Sequence, residues 1–261
     1  VNKRVTMKIG RIEEETAAVR TYTFYRGIPA QPGQFIMVTD LKGGEKPFSL
    51  ADCTEDYFSI TVKKTGEFTG RLFAQKAGDL ISFRGPYGTA FSLSTGKVLV
   101  LGGGYGVPPL YFLARKLLAD GAAVTVVNGA KTKADLIFTG QFNKIGLRQF
   151  ITTDDGSAGA AGSLVDLVQS ILRDETFDFI YASGPEKMLK ALAPLLKKIP
   201  YEFLLERYMK CAIGICGQCV MDPSGLRLCV EGPVISGRQL ERLTEFGRYR
   251  RDVSGRRIPL T

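Results

Sequence analysis

Four of the chain's five cysteines fall within nineteen residues, in "CAIGICGQCVMDPSGLRLC". They are Cys211, Cys216, Cys219 and Cys229, spaced C-x4-C-x2-C-x9-C. Structural zinc sites usually pair their ligands as two short C-x2–4-C knuckles. Here three cysteines crowd one loop and the fourth stands apart, the pattern of a plant-type 2Fe–2S cluster. Gly214 and Gly217 let such a loop wrap a bulky inorganic core. The spacing therefore favours a 2Fe–2S cluster, with zinc or chance structural thiols as the alternatives. The remaining cysteine, Cys53, reads as a half-buried structural residue.

The chain contains no histidine. That excludes Ser–His–Asp and Cys–His catalysis, mixed Cys/His zinc sites and Rieske centres. Any metal has to be held by thiolates, carboxylates or a cofactor. At 261 residues and 44% hydrophobic, the chain suits two compact domains and an appendage. No apolar run approaches the ~18 residues that a membrane helix needs. The first residues, "VNKRVTMKIGRIEEET", carry no apolar secretory core, so a cytoplasmic protein is expected. The net charge is +9, and +4 of it lies in residues 237–261, with seven arginines against three acidic residues. A soluble protein with a solvated basic tail fits this better than nucleic-acid binding, with a tail that docks an acidic partner between the two. The tail is expected to pack on a partner or on the cysteine module, and a zinc-stabilised nucleic-acid-binding module is the alternative from another class.

Residues 1–95 read as β-rich. "VTMKIGRI", "VRTYTFY", "QFIMVTD", "YFSITVKK" and "DLISFRG" are short alternating or β-branched runs separated by Gly, Pro and Asp. They predict an antiparallel β-barrel or sandwich. Residues 96–204 change character. Strand-like "KVLVL" leads through "GGGYGVPP" into a helix with Leu110, Leu113, Ala114, Leu117 and Leu118 on one face. "FDFIYASGP" and "EKMLKALAPLLKK" repeat the strand–helix unit, with Pro194 placed to break the helix. This alternation predicts a Rossmann-like parallel-sheet α/β domain. The cysteine segment, 205–235, forms a small module, and 236–261 is the basic tail.

The glycine loop, with Gly103, Gly104 and Gly106, follows a strand and opens a helix, a context that holds phosphate. A tight structural turn is the alternative reading. Pro109 stands where the dinucleotide fingerprint has its third glycine, and the acidic ribose-binding residue expected about 20 positions on is absent. Lys131 and Lys133 could meet a 2′-phosphate or be plain solvated charges. Asp154 and Asp155 could bind ribose hydroxyls or cap the helix beginning near Gly162. "ASGPEKM", with Ser183, Gly184 and Pro185, sits where a strand ends and a helix opens, another ligand-binding position in an α/β sheet. A cluster moves single electrons and nicotinamide moves two together. Their presence on one chain calls for a converter, and flavin is the common one.

"KPFSL" then resembles the basic–aromatic–serine flavin motif of the ferredoxin–NADP reductase superfamily. The resemblance implies FAD, with Lys46 and Pro47 toward its pyrophosphate and Phe48 and Ser49 at the isoalloxazine ring. "VKKTGEFTGRL" is similar to the second flavin segment. It implies Val62, Lys63 and Lys64 along the ring and Gly66, Thr69 and Gly70 near the pyrophosphate. "GPYGTAF" resembles the domain-joining loop, and "LGGGYGVPP" and "SGPEKM" the NAD(P) motifs. Serine at 183 replaces a frequent cysteine. With "ERYMKCAIGICGQC", the whole looks like the family of electron transfer subunits of class B dihydroorotate dehydrogenase. Ala212 stands where that family usually has glycine. The family implies an oxidoreductase subunit in pyrimidine biosynthesis. It would take electrons from dihydroorotate oxidised on an FMN-containing catalytic subunit, in a heterotetramer, through 2Fe–2S and FAD to NAD+. Related subunits serve sulfhydrogenases and NADH-dependent ferredoxin:NADP reductases, which supply the alternative partner.

Overall fold

The structure is a computed structural model that describes residues 3–40 and 44–260. Seven strands make up the first sheet: β1 (Val5–Lys8), β2 (Arg11–Thr16), β3 (Val19–Phe24), β4 (Phe35–Thr39), β5 (Glu45–Cys53), β6 (Phe58–Lys63) and β7 (Leu80–Tyr87). Helix α1 (Glu67–Phe73) lies between β6 and β7. The strand order is β1-β7-β4-β5-β6-β3-β2, and every pair is antiparallel. The sheet curls barrel-like around Tyr22, Phe24, Ile36, Val38, Leu50, Phe58, Ile60 and Val62. "VTMKIGRI" is not one strand. Gly10 breaks it, and β1 and β2 end on opposite edges of the sheet, bridging its two margins. The long β5 starts already at Glu45 and so takes in "KPFSL".

The second sheet begins with β8 (Lys97–Gly103), followed by α2 (Val107–Ala119), β9 (Ala123–Ala130), α3 (Thr139–Lys144), β10 (Arg148–Thr153) and β11 (Ala160–Ala161). Then come α4 (Leu164–Asp174), β12 (Phe179–Ser183), α5 (Glu186–Leu192) and β13 (Tyr201–Leu204). Pro108 and Pro109 occupy the first turn of α2, where their missing N–H groups cost nothing. Leu110, Leu113, Ala114 and Leu117 are buried, while Leu118 is exposed. A 3-10 turn at Ala193–Leu196 follows α5, so the helix ends just before Pro194. The order is β11-β10-β9-β8-β12-β13-β16, parallel except for the last pair. Its edge strand β16 (Val234–Ser236) comes from beyond the cysteines.

Between β13 and β16 the cysteine segment contributes only the small ribbon β14 (Val220–Met221) and β15 (Leu226–Arg227). After β16 come α6 (Gly237–Leu240) and a hairpin of β17 (Tyr249–Arg251) and β18 (Arg257–Pro259). One apolar core runs from Leu99, Leu101, Ile180 and Phe203 of the sheet into Met221, Leu228, Cys219 and Cys229, and on to Phe246 of the tail. Phe35 and Met37 of the first sheet share it. Arg115 of α2 adds a polar tie, its Nη1 lying 2.6 and 2.5 Å from the two carboxylate oxygens of Asp52 on β5. Among the described residues no helix is long and apolar enough to cross a membrane.

Candidate functional site: two clefts and a cysteine loop

β8 and β12 are neighbours, with β9 beyond β8 and β13 beyond β12. The chain direction around the sheet reverses there, and the strand ends at such a point open a crevice. The two loops that fill it come close together. A Cβ at Gly106 would stand 2.3 Å from the carbonyl carbon of Ser183 and 2.4 Å from the Gly184 nitrogen. Only glycine permits that approach. Beside it lies a cavity of about 380 Å³ lined by Gly103, Tyr105, Gly106, Gly184, Pro185, Glu186 and Lys187 on the sheet side. Its rim of bare backbone suits the close approach of a phosphate group. Ser183 itself is buried. Gly104 takes φ +53 to turn the chain into α2.

A second cavity, about 300 Å³, lies between the two sheets. Pro47, Phe48 and Ser49 of β5 line it, with Thr61, Lys63, Thr65 and Thr69. The alternation along β6 explains the choice: Thr61 and Lys63 face the cleft, while Val62 points into the barrel core with 0% exposure. Gly66 and Gly70 have nothing within 4 Å of a would-be Cβ, leaving open backbone at the start of α1. Flat apolar walls from Phe35, Phe48, Pro108 and Pro109, with hydroxyls and one lysine at the edge, fit a flavin.

Besides Val62, four further residues that the sequence offered for a ligand line neither cavity: Lys46, Lys64, Asp154 and Asp155. Lys46 is turned away from the cleft: its Nζ donates to the Tyr208 hydroxyl at 2.8 Å and lies 4.3 Å from that ring's centroid. Lys64 leans toward Phe73. Asp154 and Asp155 line neither cavity. Asp155 closes a turn by accepting from Ser157, whose hydroxyl and N–H hold its carboxyl below the usual range. Neither aspartate caps α4; Ser163 does, accepting from the Asp166 N–H. Lys131 and Lys133 are exposed.

Sequence reasoning missed Tyr105 and the linker after β13. Tyr105 lines both cavities, with the Lys63 Nζ 3.6 Å above its ring. Leu205 and Glu206 also line both, and Arg207 and Met209 line the flavin-sized one. Cys211 follows Met209 by two residues, at most about 7 Å of extended chain. The linker is fastened at each side. Arg84 of β7 donates to the Cys211 carbonyl at 2.8 Å while pairing with Glu45 at 2.6 Å. Arg207 pairs with Glu186 and donates to Glu245 at 3.0 Å. Tyr208 was within reach of sequence reading as an aromatic just before the first cysteine; its engagement with Lys46 was not.

The four sulfurs lie as two pairs. The Cys216 N–H points at the Cys211 sulfur and the Cys229 N–H at the Cys219 sulfur, each at 3.4 Å. Burial opposes the Cys211 thiolate, but the N–H groups of Ile213, Cys216 and Ile215 outweigh it and bring the thiol down to about 6. The Cys229 thiol, donating to Cys219, brings that group down to about 7 and is itself raised. Two pairs of sulfurs suit two irons, each taking two thiolates, better than one zinc ion. Ala212 adopts φ +59, a left-handed conformation that glycine takes without strain, and Gly214 and Gly217 are at φ +78 and +69. Cys216 is exposed beside Ile215, Ile213 and Val230, at 80%, 37% and 41% exposure.

Residues 206–241 match the family described as the iron–sulfur cluster binding domain of dihydroorotate dehydrogenase B. Over 260 residues the chain is 40% identical to a Methanocaldococcus jannaschii protein, covering 99% of both. That protein is named as a probable dihydroorotate dehydrogenase B (NAD(+)) electron transfer subunit. A Pyrococcus furiosus protein of the same name is 40% identical over 93% of this chain and 94% of its own. Among solved structures, one from a study of flavin-based electron bifurcation by the NADH-dependent reduced ferredoxin–NADP oxidoreductase is similar. It aligns with a TM-score of 0.82 at 31% identity, over 92% of this chain and 93% of that one. The ferredoxin reductase of carbazole 1,9a-dioxygenase shares the fold, with a TM-score of 0.67 at 21% identity over 77% of this chain and 68% of that one. A barrel-like sheet, a parallel α/β domain and a terminal cysteine module, together with these relatives, show that the chain belongs to the dihydroorotate dehydrogenase B electron transfer subunits.

Proposed function

We propose that the chain carries electrons from dihydroorotate, oxidised on a catalytic partner, to NAD+, as an oxidoreductase subunit serving pyrimidine biosynthesis in the cytoplasm. The observation that carries this reading is the linker from Leu205 to Cys211, which walls both cavities and then enters the cysteine loop. A single short segment thus joins three cofactor-sized sites. When bound, a 2Fe–2S cluster supplies one-electron transfer and FAD the conversion between single electrons and pairs. Cys211, Cys216, Cys219 and Cys229 would hold the cluster. Phe48, Ser49, Lys63 and Thr69 would hold the flavin, with the open backbone of Gly66 and Gly70. Gly103, Gly106, Gly184 and Pro185 would hold the nicotinamide nucleotide. Transfer between stacked rings needs no protein acid or base, only orientation, which suits a chain without histidine. Tyr105 lines both cavities and stands at their junction. The apolar surface of Ile213, Ile215 and Val230 around Cys216 supplies the face for an FMN-bearing catalytic subunit, in a heterotetramer.

A second reading has its own support. The solved structure at 31% identity belongs to an NADH-dependent ferredoxin–NADP oxidoreductase, so a partner of that kind is the alternative. Affinity purification from the native cell decides. Co-purification with a flavoprotein that oxidises dihydroorotate, and NAD+ reduction by that complex, is the expected result. Recovery with a ferredoxin- or hydrogen-oxidising partner, and no dihydroorotate oxidation, would replace the first reading with the second.

A further inference from the structure

The basic tail reaches the nucleotide-sized cavity. Arg250, Pro259 and Leu260 complete its lining opposite Gly103, Gly106 and Gly184. The hairpin that brings them there is anchored on the cysteine module and the loop before it. Tyr249 donates to an Asp222 carboxylate oxygen at 2.6 Å, Arg251 at 2.8 Å and Arg257 at 2.7 Å. Arg251 also donates to Glu245 at 2.8 Å, a carboxylate with 0% exposure that also accepts from Arg207. Gln218 donates to the Asp252 carbonyl at 2.6 Å, and the Leu260 N–H closes the hairpin on the Arg248 carbonyl at 3.0 Å.

The cavity lining places Arg250. Tyr249 and Arg251 on either side of it reach Asp222, while Arg250 lines the cavity together with Pro259, the partner of Tyr249 across the hairpin. Its side chain is exposed and enters none of the ion pairs formed by Arg251, Arg256 and Arg257. The cavity has two cations on its lining, Lys187 and Arg250, and two anions, Glu186 and Glu206. Glu186 is already engaged by Arg207 and by the Gly247 N–H at 2.7 Å. Glu206 would repel an anionic ligand, and the charge of Arg250 offsets it.

Resting on the reading of this cavity as the nicotinamide nucleotide site, we infer that Arg250 binds the nucleotide's pyrophosphate. The C-terminal hairpin is then a wall of that site, supplied from beyond the cluster module. A guanidinium lining the same cavity as bare glycine backbone matches a pyrophosphate, which it can meet with two parallel hydrogen bonds.

The test measures NADH and ADP-ribose binding to the full chain with its cofactors, for wild type, Arg250→Ala and Arg250→Lys. Flavin and cluster absorbance serve as the check on folding. The expected result is that Arg250→Ala weakens both ligands by at least about tenfold and Arg250→Lys by less. Unchanged binding by Arg250→Ala overturns the inference. So does loss of NADH with ADP-ribose retained, which would place Arg250 at the nicotinamide. Equal loss in the Lys and Ala variants would show a packing role and overturn it too. If wild type binds neither ligand while holding its flavin, the reading of the cavity itself fails, and the inference with it.

Discussion

At the scale of residues, the site depends on a few atoms that have no alternative. Gly106 is the clearest. Its missing Cβ is what lets the loop after β8 lie against Ser183 and Gly184. Gly106→Ala places a methyl group 2.3 Å from a backbone carbon, so one loop has to move. The expected outcome, read by NADH titration, is binding weaker by about tenfold or more, with flavin content unchanged. Equal affinity would mean that the two loops do not shape the nucleotide cavity. The residue scale also shows what a motif cannot reveal. "KPFSL" brings Pro47, Phe48 and Ser49 to the cleft, but Lys46 is captured by Tyr208, 162 positions away. Spacing and residue type located the strand. Rotamer and partner depend on a side chain that arrives only when the linker folds across the barrel.

At the scale of elements, the tail is a fastened hairpin rather than a loose basic extension. Asp222 is its main anchor. The Tyr249 hydroxyl, with Arg251 and Arg257, holds the Asp222 carboxyl below its ordinary value of 3.8. A carboxyl depressed by folding contributes stability above that ordinary value and loses it as pH falls through the folded one. Hairpin anchoring is therefore present at neutral pH and declines below about pH 3.8. Amide exchange in 249–259, corrected for intrinsic pH effects, should lose protection on acidification below that point. In Asp222→Asn the protection should be low already at neutral pH. Protection that is independent of pH and of this substitution would show that Asp222 is not the anchor. The strand–helix units were legible because their signals are local: apolar period, proline at a helix start, glycine at its end. The hairpin was not. Packing of the tail on the cysteine module was expected, but not the hairpin or its pairing, because the partners of its arginines, Asp222 and Glu245, come from that module and the preceding loop.

At the scale of the whole molecule, the arrangement is a series of sites joined by one segment. The barrel-like sheet, the parallel sheet and the cysteine module share apolar core, with Phe35, Phe203 and Cys229 in one cluster. Arg84 holds the linker at Cys211, and the linker's own Arg207 ties it to Glu186 and Glu245. Such packing holds distances between sites fixed, which electron transfer requires. The order of these parts was readable from composition and cysteine spacing. The route between them was not, because 206–209, though part of the family resemblance, gains its role only from the two cavities that it walls.

The central claim is that electrons pass between the cysteine loop and the flavin cleft within this chain. The direct measurement compares wild type with Cys216→Ser in the purified complex with the catalytic partner. Two rates are followed: dihydroorotate-driven NAD+ reduction, and dye reduction by NADH. The account predicts that Cys216→Ser loses the first and retains the second. If both rates persist at wild-type values, the cysteine loop is not on the path and the account is wrong.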